Sequence, residues 1–167
     1  MIDQKNNKNK KEITYQDIAD YLLALANETG EPITNLKLQK LVYYAQAWYL
    51  ANYSKPLFKK DFEAWVHGPV IPELYQFYKE RGSSPIETDL KLDKVEKRFD
   101  KKTLGFLEEF VSVYMPFTAY QLEQMVHSED PWLKIREGYQ PDEICNSTIP
   151  KELIRKFYGE KIKNKTD

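Results

Sequence analysis

The sequence predicts a mainly α-helical fold, a compact single-domain bundle of about six helices with at most a small β-hairpin. Three observations predict this class. Apolar residues recur at helical spacing in several segments, three segments begin with a threonine placed as a helix N-cap, and period-two alternation is confined to one short stretch. With 167 residues, 41% of them hydrophobic, the chain can bury one core.

Two helices are predicted in the first third of the chain. Thr14 stands as the N-cap of the first helix, Asp17 as its capping-box partner, and Gly30 as its end. The same kind of start recurs at Thr34. Because the residues that follow keep an apolar stripe, we expect a long second helix that ends near Asn52.

An extended arm and a rigid turn are predicted in the next segment. Apolar and polar residues alternate after Phe62, and Gly68-Pro69 ends the pattern. Pro72 then suits the first turn of a helix, where its missing N–H is no loss. We therefore expect a corner between arm and helix, and any sheet to be a small hairpin over residues 58–66.

The second half of the chain adds further helices around one charged connection. Residues 83–99 are rich in charge and predict a surface segment. Further helices are predicted to begin at Asp100, Thr118 and Asp130 and after Thr148. The domain is thus expected over residues 13–160, between a disordered basic leader at 1–12 and a frayed tail at 161–167.

Composition excludes several classes of function. The 25 basic and 26 acidic residues give a net charge of -1, without the basic excess of a dedicated nucleic-acid binder. Cys145 is the single cysteine, so no internal disulfide can form, and no apolar run reaches the length of a membrane span. We expect a cytoplasmic protein, in which part of the 14% aromatic content faces a protein partner.

The two histidines, His67 and His127, are the residues with most potential for chemistry. Together with carboxylates they suit metal binding or acid-base catalysis, which keeps a metal-dependent hydrolase as an alternative; the carboxylates considered are Glu63, Glu73, Glu129 and Asp130. No His-Glu-x-x-His or Cys-x-x-Cys motif supports this interpretation. We therefore predict no catalytic residue, no metal ligand and no cofactor, and assign the histidines to hydrogen bonds at element ends.

The first alternative, ahead of the hydrolase, is a DNA-binding regulator of its own operon. The first two helices resemble the front of a helix-turn-helix. In that arrangement Lys37, Gln39 and Lys40 stand near the start of the recognition helix, where contacts to bases and phosphates are made.

Three sequence blocks carry a family resemblance. The first is Leu38-Gln39-Lys40-Leu41 with Tyr44 and Trp48, the second runs from Trp65 through His67-Gly68-Pro69 to Leu74-Tyr75, and the third contains His127, Glu129, Pro131 and Trp132. In this order they resemble the Panacea antitoxin domain, the SocA-like family that includes phage-associated GepA-type proteins. These motif residues are expected mainly to fix the fold.

The resemblance implies an antitoxin rather than an enzyme. Such a protein binds a toxin encoded beside it, and some members deliver the toxin to a ClpXP-type protease. No cofactor, membrane or DNA partner is implied. Candidate partner-binding residues are expected outside the motifs, in the charged connection and among aromatic side chains taken to be exposed: Lys91, Lys94, Lys97, Tyr114, Tyr120, Tyr139 and Tyr158.

Overall fold

The computed structural model describes residues 11–165, and within that range it contains eight α-helices and a three-stranded antiparallel sheet. The helices are α1 (Tyr15–Thr29), α2 (Asn35–Tyr53), α3 (Pro72–Phe77), α4 (Leu92–Glu96), α5 (Lys101–Tyr114), α6 (Ala119–His127), α7 (Asp130–Ile135) and α8 (Lys151–Lys165). The strands are β1 (Phe62–Trp65), β2 (Gly68–Val70) and β3 (Thr148–Ile149), and a 3-10 turn covers Lys79–Arg81.

The mainly α class is confirmed, with more and shorter helices than expected. The helices α3, α4 and α7 have only six, five and six residues. The leader predicted for residues 1–12 lies outside the described residues, except for residues 11 and 12. At the other end α8 continues to Lys165, although a frayed tail is predicted from residue 161.

The helix starts predicted at the three threonines are confirmed in atomic detail, whereas the N-cap predicted at Asp130 is wrong because Glu129 takes that place without a side-chain hydrogen bond. Thr14 and Thr118 both form complete capping boxes, with Asp17 and Gln121 as their partners. Thr34 accepts a hydrogen bond from the backbone N–H of Lys37 at 3.2 Å. Because these side chains satisfy N–H groups that have no partner inside the helix, local sequence alone locates the starts.

The hairpin lies later in the chain than predicted. Its strands are β1 and β2, paired from Glu63 with Val70 to Trp65 with Gly68. Gly68-Pro69 therefore opens the second strand instead of ending the arm, so the predicted small hairpin is present but spans residues 62–70 rather than 58–66. Gly68 has φ 113, which favours glycine after the tight turn, and Pro69 lies on an edge strand, where a missing N–H is tolerated.

A third strand completes the sheet in the order β2-β1-β3. Phe62 pairs with Ile149 and Glu63 with Thr148. A strand of two residues is too short to show alternation, which explains why the sequence did not indicate it.

Helix α2 is the centre of the core. Its side chains from Leu41 to Ala45 are all fully buried, and it packs against α1, α5, α6, α8 and the hairpin. A helix buried around most of its circumference also encloses the polar side chains that it carries. None of the helices described over residues 11–165 is both long and apolar enough to span a bilayer.

The surface also differs from the sequence prediction beside α3. Leu74, Phe77 and Tyr78 recur at helical spacing and predict one apolar face, but the Phe77 side chain is 70% exposed. The helix ends at this residue and a 3-10 turn follows, so the helical periodicity on which the expectation rests is lost.

Candidate functional site

The polar residues at the start of α2 point into the protein. Lys37, Gln39 and Lys40 are 7%, 1% and 0% exposed. Lys37 Nζ donates to the Met115 carbonyl at 2.8 Å, and Gln39 Oε1 accepts from the Ile71 N–H at 3.2 Å. The alternative in which these three residues contact DNA does not fit the structure, because all three side chains are enclosed.

Lys40 lies directly beneath the hairpin. Its Nζ donates to the Pro69 carbonyl at 3.3 Å. A Cβ added at Gly68 would stand 2.6 Å from Lys40 Cε, so a larger residue at this position would force the Lys40 side chain to shift. Burial lowers the pKa of Lys40 to about 7, although the charge of Glu123 acts in the opposite direction. The first two sequence blocks are thus in contact through a lysine that titrates near neutral pH.

Both histidines gather at Glu123, on α6. Glu123 Oε1 lies 2.8 Å from His67 Nδ1 and 3.8 Å from His127 Nε2, and the second distance exceeds a hydrogen bond. The His127 ring stacks on Trp132 with centroids 4.2 Å apart. Burial lowers the pKa of His127, and Glu123 opposes that shift. We call Lys40, His67, Glu123 and His127 the Glu123 cluster.

The carboxylates proposed as partners of the histidines lie elsewhere. Glu73 pairs with Lys60 at 2.6 Å and Asp130 with Lys134 at 3.7 Å. Glu63 lies on β1, in register with Val70. Within residues 11–165 no group of three His, Cys, Asp or Glu side chains is arranged to hold a metal ion. Glu123 was not predicted as the carboxylate partner of the histidines, although it lies four residues before His127 and therefore on the same helix face.

A second cluster surrounds Glu129, which is 6% exposed just before α7. Its carboxylate accepts hydrogen bonds from the hydroxyls of Tyr44 and Tyr158 and from Lys161 Nζ at 2.8 Å. Burial raises the pKa values of both tyrosines, with the Glu129 charge adding to the effect. We call these four residues the Glu129 cluster. It joins the third sequence block to α2 and α8.

The third block is also fastened to the hairpin. Trp132 Nε1 donates to the Trp65 carbonyl at 2.8 Å. Arg136, 6% exposed, donates to the Ala64 carbonyl at 3.0 Å and to the Glu143 carbonyl at 2.7 Å. These bonds fix the loop that precedes β3 against β1.

The candidate partner-binding residues fall into two groups. Tyr158 is fully buried and Tyr114 is half-buried, its ring stacked on Tyr44 with centroids 4.9 Å apart, so the expectation that both are exposed is wrong. The aromatic excess at these positions serves the core. The remaining candidates are exposed on the surface; they are Lys91, Lys94, Lys97, Tyr120 and Tyr139.

An apolar groove of about 480 Å³ opens beside the Glu123 cluster. We call it the hairpin groove. Its walls come from the start of α2, the hairpin, α3, the segment after the 3-10 turn and the loop before β3, and they include Leu36, Trp65, Val66, Val70, Tyr75 and Ile144. No Asp, Glu, Lys or Arg contributes to the walls formed by the described residues. His67 lies at the edge, where the groove meets the cluster.

The region that is similar to known proteins contains the same three sequence blocks. The family described as "Antitoxin SocA-like, Panacea domain" matches residues 38–133, which contain all the motif residues. "Antitoxin SocA" of Caulobacter vibrioides (strain NA1000 / CB15N) is 42% identical over 65 residues. That alignment covers 39% of this chain and 35% of the relative, so the aligned part spans about a third of that protein. No solved structure matches the chain.

Proposed function

Because this chain belongs to the SocA-like antitoxin family, which carries the Panacea domain, we propose that it neutralises a protein toxin encoded beside it by binding that toxin directly. The observation that carries the proposal is the family match over residues 38–133. The encounter takes place in the cytoplasm, where both products of such a gene pair are made. No cofactor is required for binding.

The positions of the motif residues support binding over catalysis. Gln39, Lys40 and Glu129 are at most 6% exposed, and each is engaged in hydrogen bonds inside the domain. A substrate would have no access to these groups. We propose that the sixteen motif residues named above serve mainly to hold the fold, whereas the partner binds at the surface.

The test is co-expression in a bacterial host. The neighbouring open reading frame is induced alone, with this chain, and with a version of this chain carrying an early stop codon. We expect growth arrest in the first and third strains, normal growth in the second, and co-purification of the two products. Arrest that persists in the second strain, or a pair that does not co-purify, would overturn the proposal.

Direct blocking and delivery to a ClpXP-type protease give different results in a host that lacks the protease. A blocker still restores growth, and the toxin accumulates in complex with it. An adaptor fails to restore growth in that host, whereas in the parent strain it lowers the amount of toxin. We propose blocking as the basic activity, since occlusion needs only the bound surface, and the protease-deficient strain decides between the two.

The exposed lysines of the charged connection remain a predicted contact. Lys91, Lys94 and Lys97 lie on or next to α4 and are solvent-exposed. Reversing all three charges removes any attraction to an acidic toxin surface and is expected to slow association. An unchanged affinity of the triple variant would remove these residues from the interface.

A further inference from the structure

We propose that the Glu123 cluster is a proton-dependent switch: when Lys40 and His127 take up protons, the turn of the hairpin and β2 are released from α2 and α6. We call residues 66–70, which form this turn and β2, the switch segment. The inference concerns the chain by itself and is independent of toxin binding. Three observations carry it: the contacts of the switch segment, the enclosure of the two bases, and the single carboxylate that they share.

One side of the switch segment rests on Lys40 of α2. Lys40 Nζ donates to the Pro69 carbonyl at 3.3 Å, and a Cβ added at Gly68 would stand 2.6 Å from Lys40 Cε. The backbone of the segment therefore lies directly on this side chain, which is 0% exposed. Because a neutral carbonyl is a weak substitute for water around an ammonium group, a proton on Lys40 is costly while the segment stays in place.

The other side of the switch segment is held by α6. His67 Nδ1 lies 2.8 Å from Glu123 Oε1, and the backbone of Val66 forms a hydrogen bond with His127. His127 Nε2 is buried and has no hydrogen-bond partner among the described residues. Its distance of 3.8 Å to Glu123 Oε1 exceeds a hydrogen bond, so an N–H at this atom has no acceptor in the closed arrangement.

The two bases share one carboxylate. Glu123 is the charged group that favours the protonated form of Lys40, and it also favours that of His127. Lys40 and His67 act against a proton on His127. From α7, His127 faces the uncharged ring of Trp132, whose centroid is 4.2 Å away. When both bases are protonated, two enclosed cations therefore depend on one anion, which also pairs with the exposed His67.

Falling pH favours release in two separate ranges. Burial lowers the pKa of Lys40 from 10.5 to about 7 and lowers the pKa of His127 below its ordinary value of 6.5. Release returns both groups to water, so within each range the released form holds a proton that the closed form lacks. The equilibrium constant for release rises by up to about tenfold for each unit by which the pH falls, through Lys40 above pH 7 and through His127 below pH 6.5.

The switch segment can move without unfolding the rest of the sheet. Strand β2 has three residues and lies at the edge of the sheet. Strand β1 stays attached to β3, and its Ala64 and Trp65 carbonyls accept hydrogen bonds from Arg136 and Trp132. Short edge segments with few partners are the parts of a fold that open locally.

Amide hydrogen exchange of the wild-type protein measures the release. The Ile71 N–H directly follows the switch segment and donates to Gln39 Oε1 on α2 at 3.2 Å, so it is freed when the segment moves away. The Leu57 N–H donates to Gln46 Oε1, also on α2, at 2.7 Å and is the matched control outside the cluster. Protection factors of both amides are measured by NMR between about pH 8.5 and pH 5.5. We expect Ile71 to be at least about tenfold less protected than Leu57, and its protection to fall with pH in both ranges.

Three variants assign the two ranges to their bases. Lys40→Met is expected to abolish the pH dependence of Ile71 exchange above pH 7 and to keep the dependence below pH 6.5. His127→Phe keeps a ring against Trp132 and is expected to have the opposite effect. Lys37→Met is the matched control, because Lys37 is a second enclosed lysine of α2 that donates to the Met115 carbonyl at 2.8 Å instead of the hairpin. We expect it to change the ratio of Ile71 to Leu57 protection by less than about twofold.

The wild-type profile decides the proposal even where a variant does not fold. Equal protection of Ile71 and Leu57 at every pH would show that both amides exchange only through global unfolding, and the switch would be overturned. Ile71 protection that is independent of pH would overturn it as well. If the pH dependence above pH 7 persists in a folded Lys40→Met protein, Lys40 is not the group that takes up the proton and the inference fails. None of these results bears on toxin binding, which is tested separately by co-expression.

Discussion

Glu123 and Glu129 stand six residues apart, yet they occupy opposite electrostatic environments. Glu123 faces two histidines and a buried lysine, and burial lowers the pKa of His127 and brings that of Lys40 to about 7. Glu129 accepts hydrogen bonds from two tyrosines that stay protonated to high pH and from Lys161. The same residue type thus lies in one cluster where burial brings the pKa of a lysine close to neutral and in another where burial keeps two tyrosines protonated.

The two clusters also connect different parts of the chain. All members of the Glu123 cluster lie within residues 38–133, the range that matches the family. The Glu129 cluster takes Tyr158 and Lys161 from α8, beyond that range. We infer that the first cluster assembles the hairpin on α2 and α6, and that the second holds the C-terminal helix on the same core.

The largest effect is expected at Glu129. Glu129→Leu leaves the hydroxyls of Tyr44 and Tyr158 without their acceptor in a buried place, and we expect a loss of about 3–5 kcal/mol in the free energy of unfolding. Urea denaturation of the purified protein measures it. Glu160→Leu, an exposed site on α8, is the matched control and is expected to change stability by less than about 0.5 kcal/mol. A similar cost at both positions would show that the Glu129 cluster does not hold α8.

The next effect concerns the contact between the hairpin and Lys40. Gly68→Ala combines an unfavourable φ of 113 with a Cβ placed 2.6 Å from Lys40 Cε, so we expect a loss of about 3 kcal/mol. Gly30→Ala provides the control, since Gly30 has φ 74 and nothing within 4 Å of the added Cβ. About 1–2 kcal/mol is expected there. If thermal denaturation shows the same loss of stability for both variants, the close approach of Lys40 to Gly68 does not contribute to the cost of the substitution.

The fold follows from the sequence where local contacts decide it. Thr14 and Thr118 have their partners three residues away, so their helix starts are predictable. The Tyr158 hydroxyl is hydrogen-bonded to Glu129, 29 residues away in the sequence, and to Tyr43, 115 residues away. No local sequence pattern predicts that Tyr158 is buried by such distant contacts. Tyr158 lies outside the three motif blocks, which is the ground on which the sequence places it among the exposed candidates.

The candidate site was predictable only in part. The sequence points to both histidines and to Lys40, because they belong to the motif blocks. It does not reveal that His67 meets Glu123, a residue 56 positions away. The hairpin groove is less predictable still, since its walls come from five separate segments and its exposed isoleucine lies in a loop without periodicity.

The pH response of Lys40 gives a third test of the difference between the Glu123 cluster and the Glu129 cluster. Burial lowers the pKa of Lys40 from 10.5 to about 7, with Glu123 opposing the shift. Between these values the unfolded chain holds a proton that the folded protein has released, so stability due to Lys40 rises with pH across this window. The limiting slope is about 1.4 kcal/mol per pH unit. Below pH 7 both states are protonated and the cost of burying the charge stays constant.

Lys40→Met removes that cost and keeps the volume of the side chain. We expect the variant to be more stable than the wild type by about 2 kcal/mol at pH 6.5, with an advantage that shrinks as the pH approaches 9. Urea denaturation at four pH values measures the difference. An advantage that grows with pH would reverse the sign and would show that Lys40 is stabilised as a cation in the folded protein.

The smallest effect is expected for the exposed half of the Glu123 cluster. His67 lies 2.8 Å from Glu123, but its side chain is 70% exposed, so solvent screens the pair. His67→Gln is expected to cost no more than about 0.5 kcal/mol, similar to breaking the exposed Lys60 and Glu73 pair with Glu73→Gln. Chemical denaturation at low and high salt compares the two variants. A loss of 2 kcal/mol or more for His67→Gln alone would contradict the division drawn above, because the Glu123 cluster would then depend on its exposed histidine as strongly as the Glu129 cluster depends on its buried tyrosines.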